Sequence, residues 1–313
     1  MSESGPLPAP QVELVEVGPR DGLQNEDRAL PPAVRAEMVG RLVAAGVRRL
    51  ETVSFVRPDR VPQMAGAEEV MAAVPTTAAD GAPVTHVGLV LNARGAQRAV
   101  ETAVGEINVV VPVTDEFATR NQGTDVDGML EAAAAAVEVA RGAGLGVSVT
   151  LAVAFGCPFA GPVPTDRVAA VTERVLALGV DELAYADTIG VGAPSQVVAL
   201  GDLLPTGAGA PRLRFHFHNT RNTGYANAWT AATLAGGRGA PVALDASVGG
   251  FGGCPFAPAA TGNIATEDLL YLLEKGGVAA TPVDRGQLVA TAGWVSTALA
   301  SPVQGLLGKA GEF

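Results

Sequence analysis

Gly146-Val147-Ser148-Val149-Thr150-Leu151-Ala152-Val153-Ala154 is a run of small, aliphatic and β-branched residues, the length and composition of a buried strand. Pro164-Thr165-Asp166 follows where a helix should begin, residues 165–178 keep helical period, and Gly179 stands where the helix should stop. Glu182-Leu183-Ala184-Tyr185-Ala186 then resumes an extended run. A strand–helix–strand unit of this kind builds parallel sheet.

Outward from this unit the same alternation recurs in both directions. Strands are expected at 12–17, 48–53, 85–91, 107–113, 146–154, 182–186, 213–217 and 242–247. Helices are expected between them at 32–45, 63–73, 94–104, 127–143, 165–178, 194–203 and 224–235, with an eighth at 266–274. Pro31-Pro32 marks another start, and Gly46 and Gly144 two more stops. Eight units without a break in composition predict an α/β fold, a (β/α)8 TIM barrel with a short C-terminal helical extension. A doubly wound open sheet is the alternative, but no G-x-G-x-x-G follows Val17, where such a fold usually carries one. We expect a single domain over 1–313, the barrel at about 11–275 and the extension at about 276–313, with a helix at 285–299 and a loose glycine-containing tail. The glycine-rich stretch 236–241 looks like a surface insertion away from the barrel mouth.

The 313 residues, 48% of them hydrophobic, are ample for one large core. Twenty-one Lys and Arg stand against 32 Asp and Glu, a net charge of −11, with no basic cluster along the chain. That balance argues against nucleic acid or an anionic membrane surface as partner. A phosphate-bearing ligand is still compatible, because it needs only a local basic pocket. Residues 1–11 have neither a basic nor an apolar segment of signal-peptide type, and no apolar run is long enough to span a membrane. Cys157 and Cys254 do not make a disulfide framework, so a cytoplasmic location is expected.

A barrel collects its chemistry at the C-terminal ends of its strands. Polar groups do fall there: Gly18-Pro19-Arg20-Asp21 and Gln24 after the first strand, Glu51 on the second and Thr114-Asp115-Glu116 after the fourth. Asp187 ends the sixth, His216 and His218 end the seventh, and Cys254 and Asn263 follow the eighth. His216-Phe217-His218 uses two of only three histidines. On a strand, i and i+2 face the same way, roughly 6.5–7 Å apart by strand rise, close enough to share one metal ion. The plainer reading is one buried, hydrogen-bonded histidine beside a chance neighbour. A hard carboxylate, two imidazoles and an amide oxygen make a coherent N/O donor set for a divalent cation. His86 has no such company and is read as structural.

Val17-Gly18-Pro19-Arg20-Asp21-Gly22-Leu23-Gln24-Asn25-Glu26 and Glu51-Thr52-Val53-Ser54-Phe55-Val56 resemble motifs of the 3-hydroxy-3-methylglutaryl-CoA lyase family. So do Phe155-Gly156-Cys157-Pro158-Phe159, Ala186-Asp187-Thr188-Ile189-Gly190, Gly252-Gly253-Cys254-Pro255-Phe256 and Gly262-Asn263-Ile264-Ala265-Thr266-Glu267-Asp268. The blocks stand in family order across nearly the whole barrel. The resemblance implies a metal-dependent retro-Claisen cleavage of 3-hydroxy-3-methylglutaryl-CoA or a close 3-hydroxyacyl-CoA to acetyl-CoA and a keto acid such as acetoacetate, a step of leucine degradation. It implies Asp21, His216, His218 and Asn263 as metal ligands, for Mg2+ or Mn2+ by donor chemistry, with Zn2+ compatible. Arg20 becomes the enolate-stabilising cation, Cys254 the mobile-loop thiol that moves a proton, and Glu51 and Asp187 catalytic or positioning carboxylates. The partner is an acyl-CoA thioester, bound through Arg20, Gln24, Asn219, Arg221 and Asn222, and the assembly a homodimer. Cys157 reads as an inert filler.

The sequence departs from well-known members at Asn219, where Asp is frequent, and at Asn222, where glycine is frequent, so the identity of the acyl group is most open around Asn219, Arg221 and Asn222. Two other functions share the scaffold: a Claisen-condensing acyltransferase of the isopropylmalate or citramalate synthase type, and a catalytically silent metal-binding barrel. The first usually adds a C-terminal regulatory domain, whereas only about forty residues follow Glu274 here. The second has no need of Arg20, Asp21, both histidines and Cys254 together.

Overall fold

Strands and helices alternate because the apolar period alternates, and a computed structural model, describing residues 11–253 and 262–311, closes the strands into a barrel. The strands are β1 (Val12–Glu16), β2 (Arg49–Ser54), β3 (Thr85–Val90), β4 (Glu106–Pro112), β5 (Gly146–Ala152), β6 (Glu182–Asp187), β7 (Arg212–Phe217) and β8 (Val242–Ala246). Each pairs in parallel with the next, and β1 closes the ring on β8 with Val12 opposite Val242 and Glu16 opposite Ala246.

Helices α1 (Pro32–Ala44), α2 (Ala67–Ala73), α3 (Ala93–Val100), α4 (Asp115–Gln122), α5 (Val126–Gly142), α6 (Thr165–Leu176), α7 (Pro194–Gly201) and α8 (Gly224–Arg238) cover the outside. α9 (Thr266–Lys275), α10 (Arg285–Leu299) and α11 (Leu307–Ala310) complete the chain, and α10 packs on α1. Local chemistry sets several starts. Asn92 and Asp125 accept hydrogen bonds from Gly95 N (3.0 Å) and Gly128 N (2.9 Å), capping α3 and α5. Pro32 and Pro194 open α1 and α7, where a missing N–H costs nothing.

Two features differ from expectation. α4 is an additional helix after β4; it is short, polar and mostly exposed, so it has little apolar period to announce it. The stretch 236–241 is not an inserted loop, because α8 runs on through Gly236 and Gly237 to Arg238. Arg238 donates to the carbonyls of Gly201 (3.0 Å) and Pro205 (2.9 Å), and this anchor offsets the poor helix propensity of two glycines.

The barrel interior is charged at its base. Arg49, the first residue of β2, donates to both oxygens of Glu182 (2.8 Å each) and to Glu106 Oε1 (2.6 Å), all from strand starts. One layer higher, fully buried Arg214 donates to Asp245 Oδ1 (2.5 Å) and Glu51 Oε2 (3.3 Å). Asn108 also donates to Glu51 Oε2 (2.9 Å). Strand alternation stacks these layers, since Arg212, Arg214 and His216 of β7 share one face. Arg49→Ala is expected to destabilise the fold by about 3–5 kcal/mol, because it takes from two buried carboxylates their nearest hydrogen-bonded cation. Denaturant unfolding monitored by circular dichroism reads this, and a loss under about 1 kcal/mol, the scale of an exposed pair, would show that Arg212 and Arg214 suffice to neutralise both.

Candidate active site at the C-terminal mouth of the barrel

The first loop leaves β1 through a tight turn at Gly18–Gly22, in which the N–H groups of Arg20, Asp21 and Gly22 all point at Val17 O (3.1, 2.8 and 3.2 Å). Gly18 is required by close approach: a Cβ there would lie 2.6 Å from Glu16 Oε1. The turn places Arg20 and Asp21 side by side on the cavity wall. Arg20 Nε donates to Glu51 Oε1, and Nη1 donates to Asp21 Oδ1 (2.6 Å). Nη2 has no hydrogen-bond partner among the described residues. Glu51 is thus held by Arg20 above and by Arg214 and Asn108 below, which ties the mouth to the buried charges of the barrel.

Asp21, His216 and His218 each offer a donor atom, and the three atoms lie within 4.8 Å of one another. Asp21 Oδ2 stands 3.7 Å from His216 Nε2 and 4.0 Å from His218 Nε2. Asn263 joins them: its Nδ2 donates to Asp21 Oδ2 and to Phe251 O (3.0 Å each), and its backbone bridges to that of His218. The opposite side of the His216 ring meets Asp245, with Nδ1 3.1 Å from Oδ2. Burial works against ionisation of Asp21, but Arg20, the two imidazoles and the Asn263 N–H outweigh it and hold the carboxyl well below its usual range. For His216, burial is outweighed by the Asp245 hydrogen bond and the Asp21 and Asp245 charges, so its pKa is raised. Burial, with His216 as cationic neighbour, pushes His218 down to about 4.

The donor set fits a divalent ion. Asn263 Oδ1 is buried without a protein hydrogen bond, a cost normally avoided unless something else binds there. A carboxylate and two imidazoles meet in one place, hard and borderline donors such a cation takes, and the Asn263 amide beside them, whose nitrogen faces Asp21, would offer its oxygen on turning over.

The other expected residues divide. Gln24 lines the cavity, about 220 Å3 in volume, together with Leu89, Val110, Thr150, Ala186 and Thr188. Glu51 is fully buried behind Arg20 and acts on it directly. Asp187 does not line the cavity: neighbouring Ala186 takes the inward position, while the Asp187 carboxylate accepts from Val191 N (2.8 Å) and Gly192 N (2.9 Å). Asn219, Arg221 and Asn222 stand outside the cavity lining as well. Asn219 Oδ1 accepts from Gly224 N (3.1 Å) at the start of α8, and Arg221 Nη1 donates to the carbonyls of Ile189 (2.9 Å) and Gly190 (3.0 Å). Asn222 adopts φ +59°, the left-handed conformation that a glycine would supply. Cys254 lies outside the described residues. Cys157 is buried and accepts from Thr114 Oγ1 (3.2 Å), and His86 sits between Thr52 Oγ1 (2.8 Å) and Pro75 O (2.9 Å).

Two residues of the site escaped the sequence reading. Arg214 carried a signal, since it lies two positions before His216 on the same strand face. Asp245 carried a fainter one, as the sole charged residue in Val242-Ala243-Leu244-Asp245-Ala246.

A second pair of carboxyls ties the two loops of the site together. Glu16 accepts from Gly18 N (2.8 Å), Val248 N (2.9 Å) and Thr266 Oγ1 (2.6 Å), and Glu267 accepts from Gly249 N (3.0 Å). Burial, reinforced by the Glu267 charge, pushes Glu16 up to about 7 against its hydrogen bonds. Between the ordinary value near 4.5 and about 7, the folded chain keeps a proton that the unfolded chain has released. Stability from this group is therefore full at low pH and falls as pH rises through that window. Glu16→Gln is expected to match the parent near pH 4.5 and to exceed it by about 2–3 kcal/mol at about pH 8. Thermal unfolding of both proteins across pH checks this, and a constant difference would overturn it.

Comparison with known proteins agrees with this geometry. The HMGL-like family profile matches residues 11–295. An (R)-citramalyl-CoA lyase of Chloroflexus aurantiacus is 41% identical over 307 residues, 96% of this chain and 95% of that protein. A hydroxymethylglutaryl-CoA lyase of Pseudomonas mevalonii is 39% identical over 262 residues, 84% of each chain. The crystal structure of hydroxymethylglutaryl-CoA lyase from Pseudomonas aeruginosa superposes with a TM-score of 0.86 at 36% identity, covering 96% of this chain and 97% of that one. Similarity over most of the sequence and across the barrel settles membership: the chain belongs to the HMGL-like family and is an acyl-CoA lyase that acts on carbon–carbon bonds.

Proposed function

We propose that the protein cleaves a short, branched 3-hydroxyacyl-CoA bearing a tertiary alcohol and a terminal carboxylate, with 3-hydroxy-3-methylglutaryl-CoA as substrate and acetyl-CoA and acetoacetate as products. The supporting observation is the convergence of Asp21, His216 and His218 beside the Arg20 guanidinium on one cavity wall. Asp21, His216, His218 and Asn263 would hold Mg2+ or Mn2+. The ion, when bound, supplies Lewis-acid polarisation of substrate oxygens.

The chain's own groups do the rest. The alcohol loses its proton, C2–C3 breaks, and the electron pair collects as a thioester enolate. Arg20, held in place by Glu51, offers a permanent charge to the oxygen that becomes negative only as the bond breaks. Asp245 takes the Nδ1 side of His216 and so leaves Nε2 as the donor. Asp187 and Arg221 shape the loop after β6 by binding its backbone. Cys254, which directly follows the cavity residue Gly253, gives the enolate carbon its proton. Cys254→Ala is expected to lose about a hundredfold or more in turnover, and alkylation to inactivate with substrate protecting; unchanged turnover would reassign the acid.

A second substrate has its own support, the 41% identity to a citramalyl-CoA lyase over nearly the whole chain. Citramalyl-CoA is one methylene shorter and would give acetyl-CoA and pyruvate by the same bond cleavage. Incubation with Mg2+ and each thioester, followed by assay of acetoacetate and pyruvate, tests both. Chelation should abolish the reaction. Free CoA released from acetyl-CoA plus a 2-keto acid would instead mark a condensing transferase.

A further inference from the structure

Arg35, on α1, stands apart from the other buried arginines. Arg49 meets Glu106 at 2.6 Å and Arg214 meets Asp245 at 2.5 Å. Arg35 is only 1% exposed, yet no carboxylate lies within 4.0 Å of it among the described residues, and its Nε is buried without a hydrogen-bond partner. Burial with no compensating anion pushes its pKa down to about 10, so the guanidinium is still charged at neutral pH.

What Arg35 reaches is backbone. Nη1 donates to Ala65 O (2.8 Å), and Nη2 stands 3.8 Å from Sδ of buried Met64. These two residues close the short turn Pro62–Met64 on the loop after β2. The turn opens at Val61, which lines the site cavity. From its other side, Gln63 Nε2 donates to Glu26 O (3.0 Å) on the first loop, directly after the cavity residues Gln24 and Asn25. The turn is therefore where the second loop of the mouth is fastened to the first. A buried cation without a counter-charge costs stability, and an apolar side chain of the same length would fill the space without that cost. The fold gains little from the charge; the turn gains its anchor.

We infer that Arg35 is a positioning residue for the thioester: it fixes the turn at Pro62–Met64, so that Val61 on one loop and Gln24 and Asn25 on the other keep their places on the cavity wall. The inference goes beyond the proposed substrates and rests on the site proposed for them. The reacting groups are held by bonds that do not pass through this turn. Glu51 holds Arg20, Asn263 holds Asp21 and Asp245 holds His216. Loss of Arg35 should accordingly weaken substrate and transition state alike, raising KM and sparing kcat.

Equilibrium binding of acetyl-CoA, the product common to both proposed substrates, to the full chain with Mg2+ tests this without turnover. Arg35→Met should weaken acetyl-CoA by about tenfold, the value of one charge-assisted hydrogen bond. Mn2+ affinity should be unchanged, and the thermal midpoint should hold or rise because a buried charge has been removed. The amides of Met64 and Ala65, which close the turn onto Val61 O and Pro62 O, should exchange hydrogen faster. Arg35→Lys, whose ammonium can still donate to Ala65 O, should recover most of the affinity. Gln63→Met removes the other fastening at a half-buried position and should weaken acetyl-CoA in the same direction. Unchanged acetyl-CoA affinity in Arg35→Met or in Gln63→Met overturns the assignment. So does a lower thermal midpoint in Arg35→Met with kcat and Mn2+ affinity falling together, which would make Arg35 a residue of the fold alone. Arg35-dependent acetyl-CoA binding without cleavage of either thioester would sink the proposed substrates and keep the positioning role. Cleavage of a thioester with acetyl-CoA affinity indifferent to Arg35 would do the reverse.

Discussion

Arg20→Gln is expected to lower kcat by about a thousandfold or more, the scale on which a preorganised oxyanion contact acts, with kcat/KM falling in parallel. The parallel fall follows from timing, because the charge on the enolate oxygen exists only once C2–C3 is breaking. The structure limits what else changes. Glu51 loses its Arg20 contact but keeps Arg214 and Asn108, so no buried carboxylate is left alone. Asp21 loses its nearest cation yet keeps the Asn263 N–H, and it becomes a more available anion for a metal. Mn2+ affinity should therefore stay the same or increase, and thermal unfolding should shift little. Steady-state kinetics beside Mn2+ titration separate these effects. A loss of only a few-fold would remove Arg20 from the enolate role, and a parallel loss of Mn2+ would make it a part of the metal site.

Most of the barrel was legible because two periods, about 3.6 and 2, alternate along the chain in blocks of the right length. What escaped did so for physical reasons. α4 has too few buried residues to show a stripe. The last turn of α8 is held by Arg238 across to Gly201 and Pro205, a tertiary contact that Gly236-Gly237 could not announce. Around the site, Asp21, His216 and His218 were legible as a hard ligand set on adjacent loop and strand ends. Strand alternation carries further detail. Ala186 and Thr188 line the cavity, and Asp187 between them accepts from Val191 N and Gly192 N. The same rule applied backward from His216 would have put Arg214 under the histidines.

Asp245 was harder to see, because its partners lie on another strand. Arg214 pairs with Ala243 and Phe215 with Leu244, and only this register brings Asp245 beside His216. The contact joins two systems that the sequence presents separately. One is the ladder Arg49–Glu182–Arg214–Glu51–Arg20, which fills the barrel with paired charge. The other is the donor cluster of Asp21, His216, His218 and Asn263. Asp245 accepts from Arg214 with one oxygen and meets His216 with the other, so it belongs to both.

Asp245→Asn is accordingly expected to disable the site while the barrel stays folded. An amide presents one acceptor and one donor where the carboxylate presented two acceptors. Arg214 Nε can only donate, so it keeps the amide oxygen, and the amide NH2 turns toward His216 Nδ1. That N–H···N contact favours the tautomer with the hydrogen on Nε2, the nitrogen that faces Asp21. A protonated Nε2 cannot ligate a cation. Metal affinity should fall by about 10–100-fold, as for loss of a partner that orients a ligating histidine. Turnover should fall further, toward the roughly 10^4-fold seen when a catalytic histidine is held in the wrong tautomer. The shape is conserved and Arg214 remains hydrogen-bonded, so unfolding should move far less than in Asp245→Ala, which strands Arg214 at a cost of about 3–5 kcal/mol. Nitrogen NMR of labelled imidazole reports the tautomer directly. If the Asp245→Asn variant keeps the hydrogen of His216 on Nδ1 and binds Mn2+ with normal affinity, Asp245 serves only the charge ladder.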